Sequence, residues 1–173
     1  AISQHHGEMT VEQQRAYYES TSPTEMPDLI SSAPMLVDNF KKVGETFCNY
    51  NYTSTEVNKM KSEDPERHQR VRHPRTAIGI TEKNHLIMFV VDGGTTHSKG
   101  MSCRELTRFM VKWFNPQYAL NMDGGGSSTL CVKGEGDPSP HVVNYPCEGI
   151  PNKDSHDHTH ERVRDVHFII LKK

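Results

Sequence analysis

Between two apolar segments, Leu86-Ile87-Met88-Phe89-Val90-Val91 and Tyr118-Ala119-Leu120-Asn121-Met122, lies a stretch of helical spacing from Ser102 to Phe114. Cys103, Leu106, Phe109, Met110 and Trp113 recur at intervals of three and four, which is one stripe of a 3.6-residue period. Ser102 and Glu105 form a capping box at its start, where hydroxyl and carboxylate satisfy each other's backbone N–H groups. Asn115-Pro116 ends it, because proline cannot continue a helix. Such a helix must lay its stripe on something, and the flanking strands supply a sheet. The sequence therefore predicts an α+β fold: a mixed, mostly antiparallel β-sheet with helical cover and one clear helix at about 102–114.

Further strands follow from alternation and turn residues. Thr76 to Thr81 and His85 to Asp92 read as a hairpin with its turn at Lys83-Asn84. Leu29 to Val37 reads as a strand interrupted at Pro34, and Thr129–Val132 and His141–Asn144 as short strands. Arg164 to Leu171 is the last strand, with Val166, Phe168 and Ile170 alternating against Asp165, His167 and Ile169. Residues 1–28 form a polar N-terminal segment with a short helix expected at Thr10–Glu19, and 29–173 form the folded domain. Within that domain, 49–72 is charged with little periodicity and reads as a long, mobile surface insertion.

At 173 residues the chain is long enough for one domain with a real core. A formal net charge of −2 gives no field that would draw nucleic acid or an acidic membrane, and no apolar run is long enough to span a bilayer. Only 34% of residues are hydrophobic and mean hydropathy is −0.72, so part of the chain is expected to be exposed or to pack on something else. The chain begins at Ala1 with no visible signal peptide, as a processed or trimmed chain would. Cys48, Cys103, Cys131 and Cys147 lack CxxC spacing, and Asn51-Tyr52-Thr53 is an N-glycosylation sequon. Together these point to a secreted or lumenal protein, glycosylated at Asn51, with up to two disulfides in any of three pairings.

The residues with chemical potential stand at strand ends. Asp123-Gly124-Gly125-Gly126-Ser127-Ser128-Thr129 places a carboxylate before bare backbone and three hydroxyls. By itself the run fits a tight turn as well as a ligand loop, and it lacks the Lys of a P-loop. Arg75 opens one strand, Asp92 closes the next, Asp123 closes the strand after the helix, and Arg162 opens the last. Arginine forks and loop N–H groups bind phosphate oxygens, and paired carboxylates break glycosidic bonds. This constellation suits a phosphorylated sugar, although Asp92 taken singly reads more simply as a turn cap. His156, His158 and His160 alternate and are weak metal candidates; an exposed polar loop accounts for them better, and no cofactor is required by the pattern.

Taken in order, His73-Pro74-Arg75-Thr76-Ala77-Ile78-Gly79, Val90-Val91-Asp92-Gly93, Ala119 to Thr129, Val143-Asn144-Tyr145-Pro146 and Glu161-Arg162-Val163 resemble the phosphodiester glycosidase domain. The resemblance covers roughly residues 29–171 and implies hydrolysis of the bond between an anomeric sugar carbon and a phosphodiester oxygen, of the N-acetylglucosamine-1-phosphodiester type. It places Asp123 and Asp92 as acid and base, with Glu161 in reserve. It assigns substrate and phosphate contacts to Arg75, Thr76, Gly124, Gly125, Gly126, Ser127, Ser128, Asn144 and Arg162. Family domains carry a substantial N-terminal half ahead of Ser31–Val37 that this sequence does not show, so a separate N-terminal chain, proteolysis or loss is expected. That leaves two readings: an enzyme acting on a phosphosugar or glycoconjugate, or a non-catalytic extracellular scaffold or assembly protein that reuses the fold and self-associates.

Overall fold

In a computed structural model of the chain, the described residues are 32–46, 49, 51–62, 64–136 and 141–147. Four strands form one sheet: β1 (Met35–Val37), β2 (Arg75–Ile80), β3 (Leu86–Val91) and β4 (Tyr118–Asn121), in the order β1-β4-β2-β3. All three neighbouring pairs are antiparallel. The β2–β3 hairpin runs in unbroken register from Arg75 opposite Val91 to Ile80 opposite Leu86. Its turn closes where Asn84 takes φ +59, a conformation that Asn tolerates better than most side chains, and the N–H of Asn84 donates to the carbonyl of Thr81 at 2.9 Å.

Among the described residues three α-helices accompany the sheet: α1 (Ser54–Lys59), α2 (Pro65–Arg70) and α3 (Cys103–Phe114). The capping box of α3 is formed as expected, with the Glu105 N–H donating to Ser102 Oγ at 3.3 Å and the Ser102 N–H donating to Glu105 Oε2 at 2.9 Å. Asn115 ends the helix in the left-handed region and its N–H donates to the Met110 carbonyl. Cys103, Leu106 and Met110 are fully buried with Leu36, Val37, Ala77 and Ala119, and Ile87, Phe89 and Val91 pack against that cluster. The opposite sheet face carries Met35, Leu120 and Met122, with Val43, Ile78 and Tyr118 beside them. Burying each large aliphatic side chain contributes roughly 1.5–3 kcal/mol, so these few residues supply much of what holds helix to sheet.

Several expectations are corrected. Residues 49–72 are not structureless, since α1 and α2 occupy half of the segment. Thr53 and Glu56 form a capping box for α1, while Asp64 caps α2 with Pro65 in its first turn. These helices bury only Val57, so no apolar stripe announced them. Trp113 is on the margin of α3 nearest the sheet edge and is 62% exposed, not core. The strands expected at 129–132 and 141–144 reduce to an isolated bridge between Cys131 and Val142. Among the described residues no disulfide joins Cys103, Cys131 and Cys147. Among the described residues no helix is long and apolar enough to cross a membrane. The polar segment 1–28, Cys48 and the strand expected at Arg164–Leu171 lie outside the described residues.

Candidate active site

Antiparallel pairing decides where the site forms. β2 starts where β3 and β4 end: Arg75 lies opposite Val91, Ala77 opposite Asn121, and the Met122 N–H donates to the Thr76 carbonyl at 2.8 Å. The segments His73–Thr76, Asp92–Gly93 and Asp123–Thr129, far apart in sequence, therefore share one rim of the sheet.

Backbone meets backbone at the centre of that rim. A Cβ on Gly100, which has φ +83, would sit 2.1 Å from the His73 carbonyl oxygen. On Gly93 it would sit 2.7 Å from Gly100 Cα and 2.8 Å from the Pro74 nitrogen, and on Gly124 2.7 Å from the Pro74 oxygen. The Gly125 N–H donates to that same Pro74 oxygen at 3.1 Å. Two glycine-bearing loops, one between β3 and α3 and one after β4, thus close on the two residues His73 and Pro74. Gly100→Ala combines left-handed strain with a backbone clash and is expected to cost roughly 3 kcal/mol or more, read as a lower urea midpoint. A midpoint within experimental error of the parent's would remove this packing argument.

Asp92 is held by its neighbours. Its Oδ1 accepts from Asn144 Nδ2 at 2.8 Å and from the Tyr145 N–H at 3.0 Å, and its backbone oxygen accepts from Ser98 Oγ at 2.6 Å. Asn144 is 9% exposed and ties three segments together. Its Nδ2 also donates to the Ser128 carbonyl at 2.8 Å, while its Oδ1 accepts from the Leu130 N–H at 2.8 Å. Thr76 Oγ1 donates to Ser128 Oγ at 3.2 Å, which fastens the same loop to β2.

The glycine run is a 3-10 turn over Gly125–Ser127, not an open anion nest. The Gly124 N–H donates to Asp123 Oδ1, and the N–H groups of Ser127 and Ser128 bond within the turn. The Gly126 N–H takes no such intramolecular bond among the described residues. Thr129 Oγ1 is buried and has no hydrogen-bond partner among them. Asp123 itself is exposed beside the turn.

Arg75 differs most from expectation. Only 1% of it is exposed, and its guanidinium faces protein carbonyls, not an open cleft. Nε donates to the Met101 carbonyl at 3.0 Å, and Nη2 donates to the carbonyls of His68 and Val71. Two of these carbonyls are at the end of α2, where the last turn of a helix leaves acceptors without intrahelical donors. The fork expected to grip phosphate instead clamps α2 and the Met101 segment to the start of β2. Pro74-Arg75 is therefore a positioning element of the rim.

Two rim histidines were not singled out by sequence reasoning. Nε2 of His68 is 3.1 Å from Arg75 Nη1, and a guanidinium offers only donors, so that contact requires a neutral ring with Nε2 as acceptor. Part removal from water and then the Arg75 charge lower the His68 pKa, while Asp123 acts weakly in the opposite sense. His73 is lowered by the same first two causes. The adjacency of His73 to Pro74-Arg75 was a legible signal; His68, inside the supposed insertion, gave none. A histidine whose folded pKa falls below its unfolded value contributes stability that is complete above about pH 6.5 and is lost as pH falls through the folded value. Lowering pH from 7.5 to 5 should therefore reduce the melting temperature, and His68→Asn should flatten that slope. Parallel slopes for parent and variant would contradict it.

Asn51 is exposed, as a glycan acceptor must be. Glu161, Arg162, His156, His158 and His160 lie outside the described residues.

A phosphodiester glycosidase family model matches residues 3–163. Human N-acetylglucosamine-1-phosphodiester alpha-N-acetylglucosaminidase is 35% identical over 74 residues, 43% of this chain and 13% of its own length. The Bos taurus counterpart is 34% identical over 74 residues, 43% of this chain and 12% of its own. These matches therefore span only a small part of the curated relatives. The zebrafish catalytic domain of the same name, solved in a form auto-inhibited by its pro-peptide, superposes with a TM-score of 0.50 at 25% identity, covering 77% of this chain and 42% of that one. The family match takes in every rim segment built up above, and the chain belongs to the phosphodiester glycosidase family.

Proposed function

We propose that this chain carries the catalytic rim of a secreted or lumenal glycosidase that cleaves a sugar-1-phosphodiester bond of the N-acetylglucosamine-1-phosphodiester type. The observation that carries this reading is the Asn144 bridge, which sets Asp92 against the Ser128 backbone at 2.8 Å on each side. A carboxylate immobilised next to a loop that carries a second, exposed carboxylate supplies the pair of acids that glycoside hydrolysis uses. Asp123 is the proton-transfer residue and Asp92 the oriented carboxylate. The Gly126 N–H and the Ser127 hydroxyl face the phosphodiester oxygens, with Arg162 completing the phosphate contacts and Glu161 in reserve. Asn51 carries a glycan.

Incubating the purified protein with a sugar-1-phosphodiester should release free sugar, either alone or when supplied with the N-terminal half of a relative. No release in either case would overturn the enzymatic reading. The scaffold reading draws on exposed apolar side chains, Leu86 at 46% and Trp113 at 62%, and would instead show concentration-dependent self-association without turnover. Asn144→Ala unfastens Asp92 and leaves the Leu130 N–H unpaired. It should cost about 2–3 kcal/mol and lower kcat roughly tenfold to a hundredfold. An unchanged kcat would show that Asp92 needs no such support.

A further inference from the structure

We propose that His68 and His73 form a phosphate-binding pair at the rim, which holds the non-bridging oxygens of the substrate's phosphodiester against the Gly125–Ser127 turn. That the phosphate belongs to a sugar-1-phosphodiester rests on the glycosidase reading; the anion site itself does not. Both histidines are exposed. His73 directly precedes Pro74, whose carbonyl accepts from the Gly125 N–H at 3.1 Å, and a Cβ on Gly125 would be 3.9 Å from His73 Cε1. His68 is fastened to the same stretch through Arg75, whose Nη1 is 3.1 Å from its Nε2. Two rings from different elements are thus tied to the short segment on which the turn closes.

Arg75 dictates the tautomer of His68. Because a guanidinium has no acceptor, Nε2 accepts and the proton of the neutral ring sits on Nδ1. Among the described residues Nδ1 makes no hydrogen bond, so the ring presents a fixed donor at the surface. His73 makes its hydrogen bonds among them through its backbone, to Met101, which leaves both ring nitrogens for a ligand.

The charges that bear on the two rings favour an anion. Arg75 acts on both and Arg67 on His73, against Asp123 on His68. Arg67 enters no ion pair among the described residues, and its Nε is buried without a hydrogen-bond partner there. The end of α2 would ordinarily repel an anion, since a helix C-terminus carries partial negative charge. Here the carbonyls of His68 and Val71 accept from Arg75 Nη2, which offsets that charge. The phosphate contacts expected of Arg75 therefore pass to a side chain that Arg75 positions.

Nuclear magnetic resonance of the ring nitrogens in the full chain tests the site. Near neutral pH the proton of His68 is expected on Nδ1. Diethyl phosphate, a diester with no sugar bond to cleave, should shift the ring signals of both histidines and the Gly126 amide. His68→Gln keeps an acceptor for Arg75 but has no Nδ1 donor, and it should bind this probe about tenfold more weakly. His68→Asn, whose amide reaches the Nδ1 position, should bind it within about threefold of the parent. With a sugar-1-phosphodiester, His68→Gln should raise KM about tenfold more than it lowers kcat. A His68 proton on Nε2 alone, no ring shifts in the folded parent, or equal binding by His68→Gln and the parent would each overturn the site. Ring shifts without any sugar release would overturn the glycosidase reading and leave the site standing. Sugar release with KM unaltered in His68→Gln would overturn the site and leave that reading standing.

Discussion

Asp123→Ala should lose turnover of a sugar-1-phosphodiester by about a thousandfold while melting like its parent. Removing a proton-transfer group typically costs 10²- to 10⁴-fold, whereas exposed substitutions away from buried networks usually change stability by less than about 0.5 kcal/mol. Asp123 is exposed, and the bond its side chain makes is to the N–H of the next residue, which water can replace. The separation of the two effects is the informative part. A thousandfold loss in a fully folded variant assigns chemistry to this carboxylate. Unchanged turnover would remove it from the mechanism, and a matched loss of stability would make it a turn residue. The companion Asp123→Asn keeps size and hydrogen bonding and should be equally inactive.

Arg75→Ala should unfold the rim outright. The guanidinium donates to the carbonyls of His68, Val71 and Met101 with only 1% of the residue exposed. Hydrogen bonds to a charged donor contribute roughly 1.5–3 kcal/mol each, so the loss should exceed about 3 kcal/mol even after partial relaxation. Arg75→Lys should rescue little, because one ammonium cannot span acceptors on two segments as a planar fork does. Urea unfolding measures both. If either variant kept parental stability and raised only KM, the residue would be a phosphate ligand, as its place in the motif first suggests.

That contrast shows how far the sequence could be read. The α3 stripe, its capping box and the β2–β3 hairpin were legible because periodicity and caps are local signals. The convergence of His73–Thr76, Asp92 and Asp123 was legible because strand ends follow from strand pairing. What Arg75 points at was not, because its partners come from α2, whose short polar helix buries nothing that would mark it. Asn144 was carried over with its motif, but its threefold bonding to Asp92, Ser128 and Leu130 is tertiary and has no sequence period. The glycines after Asp123 looked like free donors; the structure spends most of them inside a turn and against Pro74.

The contact of Gly93, Gly100 and Gly124 with His73 and Pro74 has an evolutionary consequence. At that junction the spacing of the loops is encoded by missing atoms, so no compensating side-chain change elsewhere can restore it once a methyl group is inserted. The residues that project from the junction, among them His73, Asp123 and Ser127, are under no such restriction. Selection or a mutational library can therefore change what the rim recognises by altering these projections, but it cannot change how far apart the loops stand. Substrate preference in a protein built this way should diversify on a fixed frame.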